Sequence, residues 1–228
     1  RRPLPHRITL TLDGKTIFES TNIKYLGLLM DSRLSWKFHI NKLSKKLSRA
    51  IGLLYKIRAY SPKPIMASLY FAIFHSHLTY GLPVWGFANQ GLLDNIALLQ
   101  KKALRIITSA DYHAHTKPIM KETNILSLTD QRHLQVSSLM WDLDHNSLPP
   151  TLSSYFKKCE DVHQHNTRHA ANGKLQIKKT NTIKYGVNSF QVQGSLTLNS
   201  LKDLDIYKNA VSKTSFLTNL KKTLINNY

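Results

Sequence analysis

The spacing of apolar residues changes once near the start of the chain, and that change constrains the fold more than any other feature. Before it, Ile8-Thr9-Leu10-Thr11-Leu12 and Lys15-Thr16-Ile17-Phe18 alternate with period two around Asp13-Gly14. Aspartate and glycine accept the positive φ that a type I′ turn requires, so this stretch predicts a β-hairpin. A third apolar run, Ile23 to Met30, is expected to pair with it. From Trp36 onward the period is that of a helix: Trp36, Ile40, Leu43, Leu47, Ala50, Ile51, Leu54 and Ile57 fall on one stripe. Lys42, Lys45, Lys46, Arg49 and Lys56 fall within about 100° of arc on the opposite side. One face is built to pack and the other to stay charged.

Helical spacing continues. Ser35 is the expected N-cap of the first helix, and Ser61-Pro62-Lys63-Pro64 ends it and opens the next. That second helix, about Pro64 to Tyr80, is apolar nearly all round and is expected to be central, with Gly81-Leu82-Pro83 breaking it. A third, from about Leu92 to Thr108, would turn Leu92, Ile96, Leu99, Ala103, Ile106 and Ile107 inward and Lys101, Lys102 and Arg105 outward. Two more are expected near Lys117 to Thr123 and Thr129 to His145, closed by Leu148-Pro149-Pro150. Residues 160–202 are polar and turn-rich and predict short strands or loops. A last helix near Tyr207 to Asn226 would place Val211, Phe216, Leu217, Leu220 and Leu224 inward. The fold class is therefore mainly α (α+β): a short N-terminal antiparallel hairpin sheet, a helical bundle, and a mixed, less regular C-terminal segment. The divisions fall at residues 1–31, 32–109 and 110–228.

Charge narrows the partners. Thirty-two Lys and Arg against thirteen Asp and Glu give +19 on 228 residues, an excess that repels itself in a compact chain unless polyanions relieve it. Residues 32–93 carry nine Lys and Arg and no acid, and residues 162–202 also lack acids. Ribosomal, nucleic-acid and anionic-membrane partners all stay open on this ground. A hydrophobic share of 42% excludes a disordered basic tail. The single Cys159 excludes an internal disulfide and fits a reducing compartment. Arg1-Arg2-Pro3 reads as a cut inside a longer chain, and nothing there has the layout of a signal peptide; the compartment stays unknown, with intracellular, nuclear or cytoplasmic places open. Ile65 to Trp85 is largely apolar, but His75, Ser76, His77, Thr79 and Pro83 make it a buried helix rather than a membrane span.

One ordered set of short motifs runs along the chain. Lys24-Tyr25-Leu26-Gly27 comes first, then Asp31 with Leu34, Trp36, His39 and Ile40. Tyr80-Gly81 with Val84-Trp85-Gly86 follows, then Leu99-Gln100-Lys101-Lys102 with Arg105-Ile106-Ile107, then Leu148-Pro149 and Asn166-Thr167-Arg168. Each piece alone is weak; their joint order resembles the region downstream of the catalytic palm in non-LTR retrotransposon reverse transcriptases. The resemblance implies that residues 8–30 are the end of the palm and the primer grip, with Lys24, Tyr25, Leu26 and Gly27 at the primer terminus. It implies a thumb over residues 35 to about 109, whose Lys42, Lys45, Lys46, Arg49, Lys56, Lys101, Lys102 and Arg105 meet phosphates. RNA template, DNA primer and the upstream palm and fingers of the same polyprotein are the implied partners. The family pattern expects Trp-Asn and then Leu-Pro where this chain has Leu198-Asn199 and Leu201-Lys202.

Catalytic chemistry is not expected here. Two-metal phosphoryl transfer needs converging carboxylates, and the chain has no adjacent Asp-Asp pair. Any Mg²⁺ would belong to the intact parent, and the fragment alone should neither polymerise nor nick. Asp142 and Asp144, with Trp141, read as solvated edge residues. Cys159, His163, His165, His113 and His115 have spacings that zinc could use but lack tight thiolate pairs, so they read as surface groups. No Gly-x-Ser-x-Gly elbow or phosphate-cradling loop exists. Trp36, Trp85 and Trp141 read as core. Two further readings remain: a stand-alone basic nucleic-acid-binding module, and an inactive degenerate transposon remnant.

Overall fold

A computed structural model describes residues 10–162 and 167–228. Asp13 and Gly14, at φ 49° and 71°, turn β1 (Leu10–Leu12) into β2 (Lys15–Ile17), with Leu10 opposite Ile17 and Leu12 opposite Lys15. Arg1-Arg2-Pro3, Ile8 and Thr9 lie outside the described residues. The run Ile23 to Met30 is not a third strand beside this hairpin. It folds on itself as β3 (Asn22–Tyr25) and β4 (Leu28–Asp31), reversing at Leu26 and Gly27 with φ 45° and 81°. The two hairpins are separate two-stranded sheets. A bulky leucine rarely enters the left-handed region, so the run reads as one strand, whereas the backbone places Leu26-Gly27 in a two-residue turn. Every residue of β1, β2 and β3 is exposed, so their period-two alternation does not mark a buried face.

The long helix α1 (Lys37–Ile57) follows. Its buried stripe, Ile40, Leu43, Leu47, Ala50, Ile51 and Leu54, is the expected one, while Trp36 and Ile57 are half-buried at its ends. Next come α2 (Lys63–Leu69), a π-helical segment (Tyr70–His75) and α3 (Ser76–Thr79), which run on as one rod. This rod is amphipathic rather than apolar all round: Met66, Tyr70, Phe74 and Leu78 are buried, whereas Ile65, Phe71 and Ala72 are exposed. A spacing of four drifts around a regular α-helix, and the wider π turn holds those four side chains toward one core. Then α4 (Leu82–Trp85), α5 (Gln90–Thr108), α6 (Thr116–Thr123) and α7 (Leu128–Asp144) complete the first bundle. On α5 the fully packed positions are Leu93, Ile96, Gln100, Ala103, Leu104, Ile106 and Ile107, with Leu92 and Leu99 half-buried.

Short helices α8 (Pro150–Ser153), α9 (Cys159–Val162) and α10 (Arg168–Ala171) lead to a π-helical segment (Ile183–Val187). The chain closes with α11 (Phe190–Leu201), α12 (Asp205–Lys208) and α13 (Lys213–Asn226). The segment expected to be strands or loops thus holds a three-turn helix, α11. Its buried face is Val192, Gly194, Ser195, Leu198, Asn199 and Leu201, half of them small or polar, so no apolar stripe announces it. The expected last helix is broken in two: Val211 is exposed in the linker, and Ser212 caps α13 by accepting from the Ser215 N–H. Two apolar cores result. One gathers α1 to α6 and the start of α7, reaching past residue 109 to Leu128; the other sets the second half of α7 against α11, α12 and α13.

Candidate nucleic-acid interface

On α1 the acid-free composition becomes a surface. Lys42, Lys45, Lys46, Arg49 and Lys56 are all exposed, opposite the buried stripe. Their field is felt beneath them: burial first, and then the charges of Lys42 and Lys46, push the His39 imidazole below its ordinary range. His39 is buried, and its Nδ1 lies 3.4 Å from the Leu29 N–H, which donates to it from β4.

The hairpin β3–β4 is seated on this bundle by near neighbours in sequence at one end and by distant ones at the other. Asp31, at the end of β4, is buried, and its carboxylate accepts from the N–H groups of Arg33 (3.1 Å), Ser35 (2.9 Å) and Trp36 (2.9 Å) and from Ser35 Oγ (3.0 Å). This carboxylate holds the turn that leads into α1, whose N-cap position is Trp36 at φ 61° rather than the expected Ser35; Ser35 Oγ accepts from the Lys37 N–H at 3.4 Å. Burial raises the Asp31 pKa and these donors lower it further, for a net fall below the ordinary carboxylate value. At the other end of the hairpin, Tyr80 donates from its hydroxyl to the Leu26 carbonyl. Gly81, at φ 63°, lies against the Leu28 side chain, where a Cβ would come within 2.9 Å. Trp85 Nε1 donates to the Tyr80 carbonyl at 2.9 Å. The motifs Lys24-Tyr25-Leu26-Gly27, Asp31, His39, Tyr80-Gly81 and Trp85 therefore form one packed node. Lys24, Tyr25 and Leu26 remain exposed at its tip. Gly27 supplies the positive φ that the turn there requires.

The other expected site residues divide. Lys101 and Lys102 are exposed on α5, but Arg105 is not free: it is half-buried, and its Nε donates to the Ala114 carbonyl at 2.9 Å. Asp142 and Asp144 are not solvated edges. Lys213 Nζ pairs with Asp142, while Lys202 Nζ at 2.7 Å and the Tyr207 hydroxyl at 2.8 Å hold Asp144. Engaged in this way, they tie α11, α12 and α13 to α7 and do not fit a catalytic metal pair. Among the described residues no three His, Cys, Asp or Glu side chains converge on a common point; His163, His165 and Asn166 lie outside them. No helix of the described residues is long and apolar enough to cross a membrane. Trp85 and Trp141 are core residues. Two buried amides were not foreseen from sequence. Gln100 Nε2 donates to the Leu126 carbonyl at 2.8 Å, and Asn199 both accepts from the Leu175 N–H (2.7 Å) and donates to its carbonyl (2.8 Å). Only their place inside quoted motifs, Leu99-Gln100 and Leu198-Asn199, pointed to them.

The chain is similar to RNA-directed DNA polymerases of non-LTR retrotransposons. It is 28% identical over 125 residues to the RNA-directed DNA polymerase from mobile element jockey of Drosophila melanogaster, covering 54% of this chain and 14% of that protein. It is 24% identical over 130 residues to the probable RNA-directed DNA polymerase from transposon BS of the same fly, covering 56% of this chain and 14% of the relative. A third, from transposon X-element, is 23% identical over 111 residues, 47% of this chain and 12% of the relative. The similarity thus spans about one seventh of the length of these polymerases. No protein-family model and no solved structure matches the chain.

Proposed function

We propose that this chain is a piece of a retrotransposon RNA-directed DNA polymerase whose task is to hold the primer–template duplex. The observation that carries the reading is the face of α1: five exposed cations on one arc, within a stretch of chain that contains no acid. Such a face tracks phosphates without reading bases, as a polymerase thumb must. Lys101 and Lys102 would extend it. The hairpin β3–β4, with Lys24, Tyr25, Leu26 and Gly27, would serve as the primer grip, fixed relative to α1 by Asp31 and His39. Ile23, exposed on β3, and Phe18 would pack against the upstream palm of the parent, which would also bind Mg²⁺ and nucleotide. RNA template and DNA primer are the proposed partners.

Salt dependence tests the reading. If Lys42, Lys45, Lys46, Arg49 and Lys56 each neutralise one phosphate, log K for a duplex should fall against log salt with a slope of about −4 to −5, near 0.9 per phosphate. Charge reversal at Lys45 and Arg49 together should flatten that slope by about two. An unchanged slope would refute the assignment of the surface. The chain alone should show no templated nucleotide incorporation with Mg²⁺ or Mn²⁺; extension above background would overturn its reading as a non-catalytic piece.

A further inference from the structure

We propose that a second site, away from the cationic face of α1, binds an unpaired nucleic-acid strand through its bases. A groove of about 710 Å³ opens between residues 34–37 and 84–92 on one wall and residues 183–190 on the other. Both walls come from the two acid-free stretches, so no carboxylate lines it. Four aromatic side chains do: Trp36, Phe87, Tyr185 and Phe190, with Lys37 and Lys184 alongside. None of Lys42, Lys45, Lys46, Arg49 or Lys56 is among the lining residues, so the site does not depend on the duplex reading.

The composition selects the ligand. An apolar partner would be served by aromatic walls alone, and a bare phosphate by lysines alone. Rings interleaved with cations, without acids, suit a strand whose bases stack while its phosphates meet ammonium groups. A duplex keeps its base faces covered, whereas an unpaired strand exposes them. Residues outside the groove hold two of the rings: the Arg132 guanidinium lies 4.7 Å from the centroid of Phe87, and Phe156 packs edge-on against Phe190 at 6.0 Å. The Tyr185 hydroxyl donates to the Arg33 carbonyl at 2.9 Å and so joins the two walls. The volume lies within the range of pockets that enclose small ligands, about 300–1,000 Å³, so it has room for more than one base.

The test is made on the 228-residue chain. Labelled oligo(dT), oligo(rU) and an abasic strand of equal charge, each of about 12 units to suit a short stacking site, are titrated by fluorescence anisotropy. Base-bearing strands should bind about tenfold tighter than the abasic strand, the effect of one or two stacked bases. The two sugars tell whether RNA or DNA is preferred. Tyr185→Ala should bring the ratio close to one while duplex affinity changes less than about twofold. Lys37→Ala with Lys184→Ala, both exposed positions, should flatten the single-strand salt slope by about 1.4, near 0.7 per phosphate. Charge reversal at Lys45 and Arg49 should weaken duplex binding and leave the ratio intact, which separates failure of that reading from failure of this one. Equal affinity for base-bearing and abasic strands, or a ratio that survives Tyr185→Ala, overturns the proposal. Should Tyr185→Ala melt early, an unchanged slope in the lysine variant overturns it instead.

Discussion

Asp31→Ala removes the acceptor that joins the hairpin β3–β4 to α1, and the structure lets its cost be worked out. The carboxylate is 8% exposed and takes hydrogen bonds from three backbone N–H groups and one hydroxyl. A hydrogen bond to a charged group contributes about 1.5–3 kcal/mol. Ser35 and Trp36 are half-buried, so water recovers part of the loss, and about 3 kcal/mol is the expected total. For a chain of this length that is a fall of roughly 6–12 °C in Tm. Asp31→Asn retains one acceptor oxygen and should lose about half as much. The pH dependence has a definite sign. The folded pKa lies below the unfolded value near 3.9, so the contribution is fully present above about pH 4 and is lost as pH falls through the depressed folded value. Urea unfolding followed by circular dichroism, at pH 7 and between about pH 5 and 3, measures both effects. The gap between wild type and Asp31→Asn should close on acidification. A cost under about 1 kcal/mol for Asp31→Ala, or a gap independent of pH, would refute the reasoning.

Leu26→Asn should raise Tm by about 2–4 °C, because a bulky side chain at φ 45° costs about 1–2 kcal/mol and Asn-Gly is the favoured type I′ pair; an unchanged Tm would mean that Leu26 does not hold this conformation in solution. Lys202→Met should destabilise by roughly 2 kcal/mol, below the value for a fully buried pair, since Lys202 and Asp144 are 15% and 20% exposed; a loss under about 0.5 kcal/mol in thermal melts would show the pair to be idle. Phe74→Ala should cost about 3–5 kcal/mol and Phe71→Ala under about 1 kcal/mol, because Phe74 is fully buried in the π-helical segment and Phe71 is 44% exposed; equal losses in urea titrations would mean that the faces of this rod are assigned wrongly.

Short-range pattern carries the first hairpin and the first helix well and the last third of the chain poorly. The hairpin at Asp13-Gly14 and the two faces of α1 could be read directly, since each depends on residues within a few turns of one another. The apolar composition of the rod from Lys63 to Thr79 predicts burial nearly all round, yet the structure turns one stripe inward and leaves Ile65 and Phe71 outside. Composition states how much apolar surface a helix has, not how much of it finds a partner. In α11 the reverse holds: Gly194, Ser195 and Asn199 are buried because Met140 and Phe156 crowd Gly194 and the Leu175 backbone occupies the Asn199 amide.

Read alone, the sequence determined part of the local geometry: the reversal at Asp13-Gly14, where the helical period begins, which side of α1 is cationic, and which order of motifs to compare with other proteins. These follow from φ preferences and from periodicity, which act over a few residues. The folded structure alone decided that Asp31 holds the turn into α1, that Tyr80-Gly81 closes over the turn at Leu26 and Gly27, that Arg105 is spent on Ala114, and that residues 183–190 face Trp36 and Phe87 across a groove. Each depends on a polar or aromatic group meeting one particular partner at no regular spacing, close along the chain for Asp31 and Arg105 and far along it for Tyr80 and for residues 183–190. Such a meeting leaves no period in the sequence, because its energy is settled only when two independently formed elements pack.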